Sequence, residues 1–263
     1  IIDQFPNLRF VGATGIGSCF LNPDFLTMIR YLKSKSIIIR LIDQFNHVDE
    51  SIIRQLVEME VDMLFISMYG ATKDTYERVC VGSNFDKIVR NIGFLVQTKR
   101  RLKTHSPVIC FHYIVSKANV HEMVPFIELV HSLDCNPYEI LFTPLLHPFE
   151  EVRDLAIEIT PEIRQRANAK ARKLGIRLIY NTCTEENKPP IKKCTAWIEP
   201  FIFASGHVIP CCVGNEANRR EFQKETSLGN VFQQSFKEIW YSEEYRKFRK
   251  MVHNGNTPVQ CKG

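Results

Sequence analysis

From residue 8 to about residue 180 the apolar positions follow two rhythms in turn. With a shorter apolar run, "IRLIY" (176–180), set aside, five runs rich in Ile, Val, Leu and Phe recur as "LRFVGATG" (8–15), "SIIIRLI" (36–42), "VDMLFISM" (61–68), "PVICFHYIVS" (107–116) and "YEILFTPLL" (138–146). They have the length of strands and are too continuously apolar to face water on one side. Between and after them, in 24–35, 49–60, 85–101, 119–133 and 160–174, apolar residues return every three or four positions, as on one face of a helix. A buried strand followed by an amphipathic helix is the repeating unit of a parallel sheet, because parallel neighbours need a long crossover between them. The strict order predicts an α/β fold, and strands alternating with helices in this way suit an open or partial barrel better than a sandwich. In either parallel architecture the chemistry sits at the C-terminal ends of the strands, here 15–19, 43–46, 67–70, 116–119 and 143–147.

The pattern changes after residue 180. "NTCTEENKPPIKK" (181–193) is polar and carries two prolines, as a linker does. Beyond it come short β-like runs at 197–204 and 207–210 and a final helical pattern over 235–255. Two domains are therefore expected, 1–180 and 181–263.

Composition narrows the picture. With 44% hydrophobic and 24% charged residues over 263 positions, the chain can bury a large core. No apolar run nears the ~20 residues of a bilayer span, so no membrane partner is expected. The net charge of +5 is spread among acids with no aromatic-rich basic tract, which leaves nucleic acid out as a partner. Nine cysteines without a secretory leader point to metal or redox roles for those that cluster. Cys110 and Cys135, set among apolar residues, read instead as small buried hydrophobes. The chain starts without Met and stops inside a cysteine motif, so it reads as a fragment.

Three stretches carry chemistry. In "TGIGSCFLNPD" (14–24) a glycine turn ends the first strand, where free backbone N–H groups can receive a carboxylate or phosphate, or where glycine simply permits close packing. In "FISMYGATKDTYERV" (65–79), Ser67, Tyr69 and Gly70 end a strand and a helix starts near Thr72. Cys194, Cys211 and Cys261 suit a tetrahedral thiolate set for zinc or an iron–sulfur cluster, the alternative being free or disulfide-bonded cysteines. Cys212 should face away from Cys211, since consecutive side chains of an extended chain point oppositely.

"CTAWIEPFIFASGHVIPCC" (194–212), followed by "SLGNVFQQSFKEIWYSEEYRKFRKMVHNGNTPVQC" (227–261), resembles the SPASM extension of radical S-adenosylmethionine (radical SAM) proteins. Cys194, Trp197, Gly206, Cys211, Gly229, Asn230, Ile239, Trp240, Arg249 and Cys261 fall on that pattern in order. The first 180 residues are similar to the radical SAM barrel from its second strand onward. "TGIGSCFLNPDFLTMIRYL" matches the glycine-rich loop that holds the methionine amino group, "ISMYGATKDTYERV" the fourth-strand region, and "VSKANVHEM" the fifth strand with its asparagine. The chain departs from the pattern at Ser18 (usually Glu), Cys19 (Pro), Tyr69 (Asp) and Cys80 (Arg, with Arg78 nearby).

The resemblance implies an α/β fold, a partial (β/α)6 TIM-barrel-like radical SAM barrel followed by a small SPASM iron–sulfur domain. It implies an enzyme that reductively cleaves S-adenosylmethionine to a 5′-deoxyadenosyl radical for hydrogen abstraction from a substrate such as a peptide or protein. Gly15, Gly17, Ser18, Ser67 and Asn119 would bind S-adenosylmethionine. Cys194, Cys211 and Cys261 would hold an auxiliary 4Fe-4S cluster, whose fourth ligand would follow Gly263. The CxxxCxxC loop of the radical-initiating 4Fe-4S cluster is not in this sequence and would lie upstream. A ferredoxin or flavodoxin would supply the electron, and oxygen-sensitive clusters imply a reducing cytoplasm. Asp43, Glu139 and His147 are candidate acid–base groups at strand positions. A second reading is a member that keeps the fold and the auxiliary cluster but presents a substrate, as a binding or scaffold protein, without radical chemistry.

Overall fold

The structure is a computed structural model that describes residues 1–15, 17–145, 150–181, 198–210 and 220–256. Residues 9–182 form one compact unit, and residues 1–8 with 183–263 form another. The first unit holds strands β1 (Phe10–Ala13), β2 (Ile38–Asp43), β3 (Met63–Ser67), β4 (Val108–Val115), β5 (Glu139–Pro144) and β6 (Leu178–Tyr180). Its helices are α1 (Phe25–Ser34), α2 (Glu50–Glu58), α3 (Lys73–Val79), α4 (Phe85–Leu102), α5 (Met123–Ser132) and α6 (Pro161–Leu174).

The strands pair in sequence order, all parallel, as the alternating pattern required. Crossovers between parallel strands are almost always right-handed, so a sheet wound in sequence order carries its helices on one face. The register shows that division. Residues such as Ile39, Leu41, Leu64, Ile66, Phe111, Tyr113, Ile140 and Phe142 face the helices and are essentially sealed from water. Tyr113 packs on Phe126 of α5, ring centroids 4.7 Å apart, and on Phe142 at 5.4 Å. Each such side chain contributes roughly 1.5–3 kcal/mol. The opposite, inner face carries Phe10, Arg40, Phe65, Ser67, Cys110, His112 and Thr143. This is the α/β barrel-type sheet that the sequence predicted, with its uncovered face and the C-terminal strand ends available for chemistry.

The caps follow the sequence closely. Asp49, Thr72, Asn84 and Thr160 each accept the backbone N–H three residues on, at the starts of α2, α3, α4 and α6. Gly175 ends α6 in the left-handed conformation.

The second unit contains a hairpin of β7 (Phe201–Ile202) and β8 (Val208–Ile209), then helices α7 (Arg220–Glu225), α8 (Phe236–Tyr241) and α9 (Glu243–His253). The single helix expected over 235–255 is broken at Ser242, which leaves the helical region at ψ 156° and caps α9 through Tyr245 N–H. Two capping serines, Ser235 in a full capping box with Glu238 and Ser242 before Glu243, start two helices where apolar periodicity alone suggested one.

Residues 1–8 were expected with the barrel and instead belong to this second unit. Gln4 Oε1 accepts from the backbone N–H groups of Phe236 (2.7 Å) and Lys237 (3.4 Å), and Phe5 lies 4.3 Å from the Phe236 ring. A side chain more than 230 residues away thus satisfies the first turn of α8. Replacing Gln4 with Ala should cost the second unit about 1 kcal/mol, as loss of a helix cap does. Hydrogen exchange checks this: the amides of Phe236 and Lys237 should exchange faster, with β4 unaffected.

Candidate active site

The C-terminal strand ends bring together three of the sequence-predicted stretches. After β1 comes the loop with Gly15, Gly17 and Ser18. Gly17 sits at φ +87°, which only glycine adopts without strain, while a Cβ at Gly15 would enter open space. The Ser18 hydroxyl is buried, lies beside the Asp43 carboxylate and finds no partner at hydrogen-bond geometry. Ser67 ends β3 two strands away, buried, with its neighbour Tyr69 raised in pKa by its own burial. Two strand spacings are ~10 Å, so one extended ligand can reach from the glycine turn to Ser67.

Between them, Asp43 ends β2, buried. Its Oδ1 accepts Phe45 N–H at 2.7 Å and its Oδ2 lies 3.8 Å from Cys19 Sγ. Burial raises its pKa, opposed by the nearby Ser18 hydroxyl, which lies outside hydrogen-bond geometry, and by the Phe45 and Cys19 backbone N–H groups. The same burial, with the Asp43 charge, pushes the Cys19 thiol up to about 12, so Cys19 is no nucleophile at neutral pH. Phe45 is sealed in the core at φ +64°, an unusual conformation for a bulky residue. It is held there by Asp43 and by Asn91 of α4, whose Nδ2 donates to the carbonyls of Phe45 (3.0 Å) and Val48 (3.2 Å). Backbone strain that the surroundings over-determine costs ~1–3 kcal/mol and tends to mark functional sites.

Asn119 is present at the rim but differs from its expected part. Its Nδ2 donates to the carbonyls of Tyr69 and Ile114, both at 2.9 Å, and its Oδ1 accepts from Ser116 N–H at 2.8 Å and the Ser116 hydroxyl at 3.2 Å. With both donors and the acceptor engaged and the side chain sealed from water, Asn119 joins the ends of β3 and β4 and has no group left for a ligand. Glu122 completes the joint. Its carboxylate accepts from Ala71 N–H (2.6 Å), Thr72 N–H (3.2 Å) and the Thr72 hydroxyl (2.6 Å). Burial pushes its pKa up, but these donors outweigh burial and hold it below the ordinary 4.5. Gly70 makes the joint possible, since a Cβ there would lie 2.7 Å from Tyr76 N. Arg78 reaches the carbonyl of Ala118 at 3.5 Å, tying α3 to the same turn.

Sequence reasoning missed two inner-face residues. His112 of β4, in register with Ser67, shares a hydrogen with Thr143 at 3.0 Å and meets the Tyr69 ring edge-on at 6.3 Å. Burial lowers its pKa below the ordinary 6.5, so the imidazole is neutral at pH 7. Arg40 of β2 lies over Phe10 (5.0 Å) and Phe65 (5.9 Å), with its Nε buried and unpartnered. Strand periodicity, which puts positions 40, 112 and 143 on the inner face once the register is known, was the available signal.

Glu139 lies at the start of β5, the end opposite the rim, 3.6 Å from Arg177; it is not part of this site. Cys80, Cys110 and Cys135 are buried thiols raised to about 11, 12 and 11, consistent with packing roles. His147, Cys194, Cys211, Cys212 and Cys261 lie outside the described residues. Among the described residues no three His, Cys, Asp or Glu side chains converge on a metal site.

Among its described residues, the second unit shows what the other motif positions do. Gly206 turns the β7–β8 hairpin at φ +83°, and a Cβ there would lie 2.4 Å from Asn230 Oδ1. Asn230 Nδ2 donates to Ser205 O at 3.0 Å, and Val208 N–H donates to Gly229 O at 2.9 Å, so the Gly229-Asn230 pair clamps the hairpin. Ile239 and Tyr245 pack beneath it, with Trp240 half-buried against them. The described hairpin strand ends at Ile209, just before the segment that carries Cys211 in the sequence. The open space at Gly15 and the unpartnered Ser18 hydroxyl fit a polar ligand of amino-acid type at the rim.

The chain is similar to several known proteins. Residues 194–263 match the SPASM family, an iron-sulfur cluster-binding domain. The α/β fold resembles that of solved structures, and the family match lies in the C-terminal segment. In sequence, the chain is 25% identical over 273 residues to the tungsten-containing aldehyde ferredoxin oxidoreductase cofactor-modifying protein of Pyrococcus furiosus, covering 96% of this chain and 72% of that one. In structure it resembles Streptococcus suis SuiB, with a TM-score of 0.69 at 10% identity, over 92% of this chain and 57% of SuiB. A domain of pyruvate-formate lyase-activating enzyme from Bacteroides vulgatus aligns over 66% of this chain and 99% of its own length, with a TM-score of 0.52 and 15% identity. The chain thus spans little more than half of SuiB. No helix among the described residues is long and apolar enough to cross a membrane.

Two pH effects follow. Glu122 is depressed, so its contribution is fully present above about pH 4.5 and is lost as pH falls. Glu122→Gln should destabilise by about 1–3 kcal/mol at pH 7, and the gap to wild type should close on acidification in urea melts. His112 is also depressed, but as a base. Below pH 6.5 the unfolded chain takes up the proton first, so stability falls as pH drops through that window. His112→Gln should flatten the stability profile between about pH 5 and 6.5.

Proposed function

We propose that this chain is part of a radical SAM enzyme that cleaves S-adenosylmethionine reductively and abstracts hydrogen from a peptide or protein substrate. Its SPASM domain would hold an auxiliary 4Fe-4S cluster. The observation that carries the reading is the strand-end rim, where an open glycine turn and the buried, unpartnered Ser18 hydroxyl share one edge with Ser67. Support comes from the solved complexes of the structural relative SuiB with S-adenosylmethionine and with its precursor peptide SuiA.

Bound there, S-adenosylmethionine would supply hydrogen-abstraction chemistry on one-electron reduction, the electron coming from a ferredoxin or flavodoxin. The chain's own residues bind and position. Gly15 leaves room at the turn, Gly17 shapes it, and Ser18 and Ser67 offer hydroxyls at its two ends. Asp43 holds the loop through Cys19, while Asn119 and Glu122 fix the wall that carries Ser67 and Tyr69. The neutral His112, its Nε2 shared with Thr143, can move a proton at Nδ1. Cys194, Cys211 and Cys261 would be the auxiliary-cluster ligands, with Cys212 a bystander.

The Pyrococcus relative, named for modifying the cofactor of a tungsten enzyme, favours a second reading in which the substrate is a cofactor carried by another protein.

The test is anaerobic reconstitution of the full-length protein with iron and sulfide, followed by S-adenosylmethionine and dithionite. 5′-Deoxyadenosine should form, and a protein that binds iron–sulfur but yields none would favour the scaffold reading. Cys211→Ser should remove the auxiliary cluster's share of the absorbance and iron content, whereas Cys212→Ser should leave both unchanged.

A further inference from the structure

The second unit has a pocket of about 360 Å³ lined by Ile198, Trp240, Arg246, Arg249, Lys250 and His253. Four of these six lie on α9 at positions 246, 249, 250 and 253, the spacing that puts side chains on one helix face. Of the two acids in the first turn of α9, Glu243 is engaged with Lys247 at 2.7 Å. Neither Arg246, Arg249 nor Lys250 has a carboxylate within ion-pair distance among the described residues. Arg249 stacks on Trp240 at 4.1 Å and on Tyr245 at 5.0 Å, and donates Nη1 to Trp240 O at 2.5 Å, which leaves most of its five N–H donors unspent. Its half-buried charge is disfavoured first by that burial and also by neighbouring Arg246, so like charges share one pocket, and no ion pair neutralises them among the described residues.

We propose that this pocket binds a short acidic peptide segment, with carboxylates at Arg246, Arg249 and Lys250 and an apolar residue against Trp240 and the exposed Ile198. This rests on the reading that the substrate is a peptide or protein. The size of the cationic face decides between anions. From residue 246 to 253 the helix rises only ~10 Å, the reach of about three extended peptide residues. A longer polyanion such as a nucleic acid would outrun that short face. The guanidiniums offer forked donors suited to carboxylates, and the indole supplies an apolar wall.

Fluorescence anisotropy at low salt with the full-length protein tests the proposal. The probe is a fluorescein-labelled peptide of alternating Glu and Leu, beside its Gln-for-Glu counterpart and a short labelled oligothymidylate. The Glu peptide should bind at least about tenfold more tightly than the Gln peptide, and its affinity should fall as salt rises. The double charge reversal Arg246→Glu with Lys250→Glu should weaken it at least about tenfold, as loss of two charge-assisted contacts implies. Both side chains are exposed and have no ion pair among the described residues, and Arg246 meets the exposed Tyr241 ring at 5.5 Å, so the variant should keep the wild-type melting temperature and cluster content, and Arg246→Gln with Lys250→Gln gives a milder second variant. Failure of the Glu peptide to bind, or equal binding by wild type and both variants, overturns the proposal. Tighter binding of the oligothymidylate, lost in the same variants, overturns it in favour of a nucleic-acid site. The assay needs neither S-adenosylmethionine nor reductant, so its outcome is independent of whether 5′-deoxyadenosine forms.

Discussion

Everything in the first unit depends on winding a parallel sheet in sequence order with one hand of crossover. That constraint puts the helices on one face and every C-terminal strand end on one edge. The glycine turn, Asp43, Ser67, His112 and Thr143 are far apart in sequence and share a rim for this reason alone. Burying the helix-side residues of all six strands fixes the register, and with it which side chains face inward, because a one-residue slip would turn each inner residue toward the helices.

On that frame, the loops of the rim are held by buried polar joints rather than by their own short elements. Asn119 and Glu122, both from the turn after β4, reach across to fix the loop after β3. Asp43 and Asn91 do the same for the strained backbone at Phe45. Joints of this kind suit a site that must keep its geometry, since each donor or acceptor left unmade would cost a buried polar group its partner. Because the joints already occupy Asn119, the groups free to meet a ligand are fewer than the motif suggests: Ser18, Ser67, Tyr69, His112 and the open glycine turn.

The second unit solves a different problem. A two-residue-long hairpin and three short helices bury little, and Gly206, Gly229 and Asn230 are used where backbones must approach closely. The core of Val208, Phe236, Ile239 and Tyr245 is extended by Phe5, while Gln4 caps α8. The Trp240–Arg249 stack both closes this core and places unpaired guanidinium donors at its surface, so one arrangement supports the fold and makes the cationic pocket.

The sequence by itself determined the alternation of strands and helices, the start of α3 at Thr72, the glycine hairpin at 206 and the cysteine pattern, because each follows from local periodicity, backbone freedom or residue type. Apolar spacing could not show the break at Ser242, since the two helices it joins share one apolar stripe and only the cap geometry separates them. Nor could it show that residues 1–8 belong with the second unit, that Asn119 is consumed, or that His112 and Arg40 line the inner face. These depend on which strand pairs with which and in what register, a choice made by long-range packing across the whole sheet. Chemistry-bearing residue types are written locally; whether a given side chain is spent on the protein or left for a ligand is decided only by the neighbours that folding brings to it.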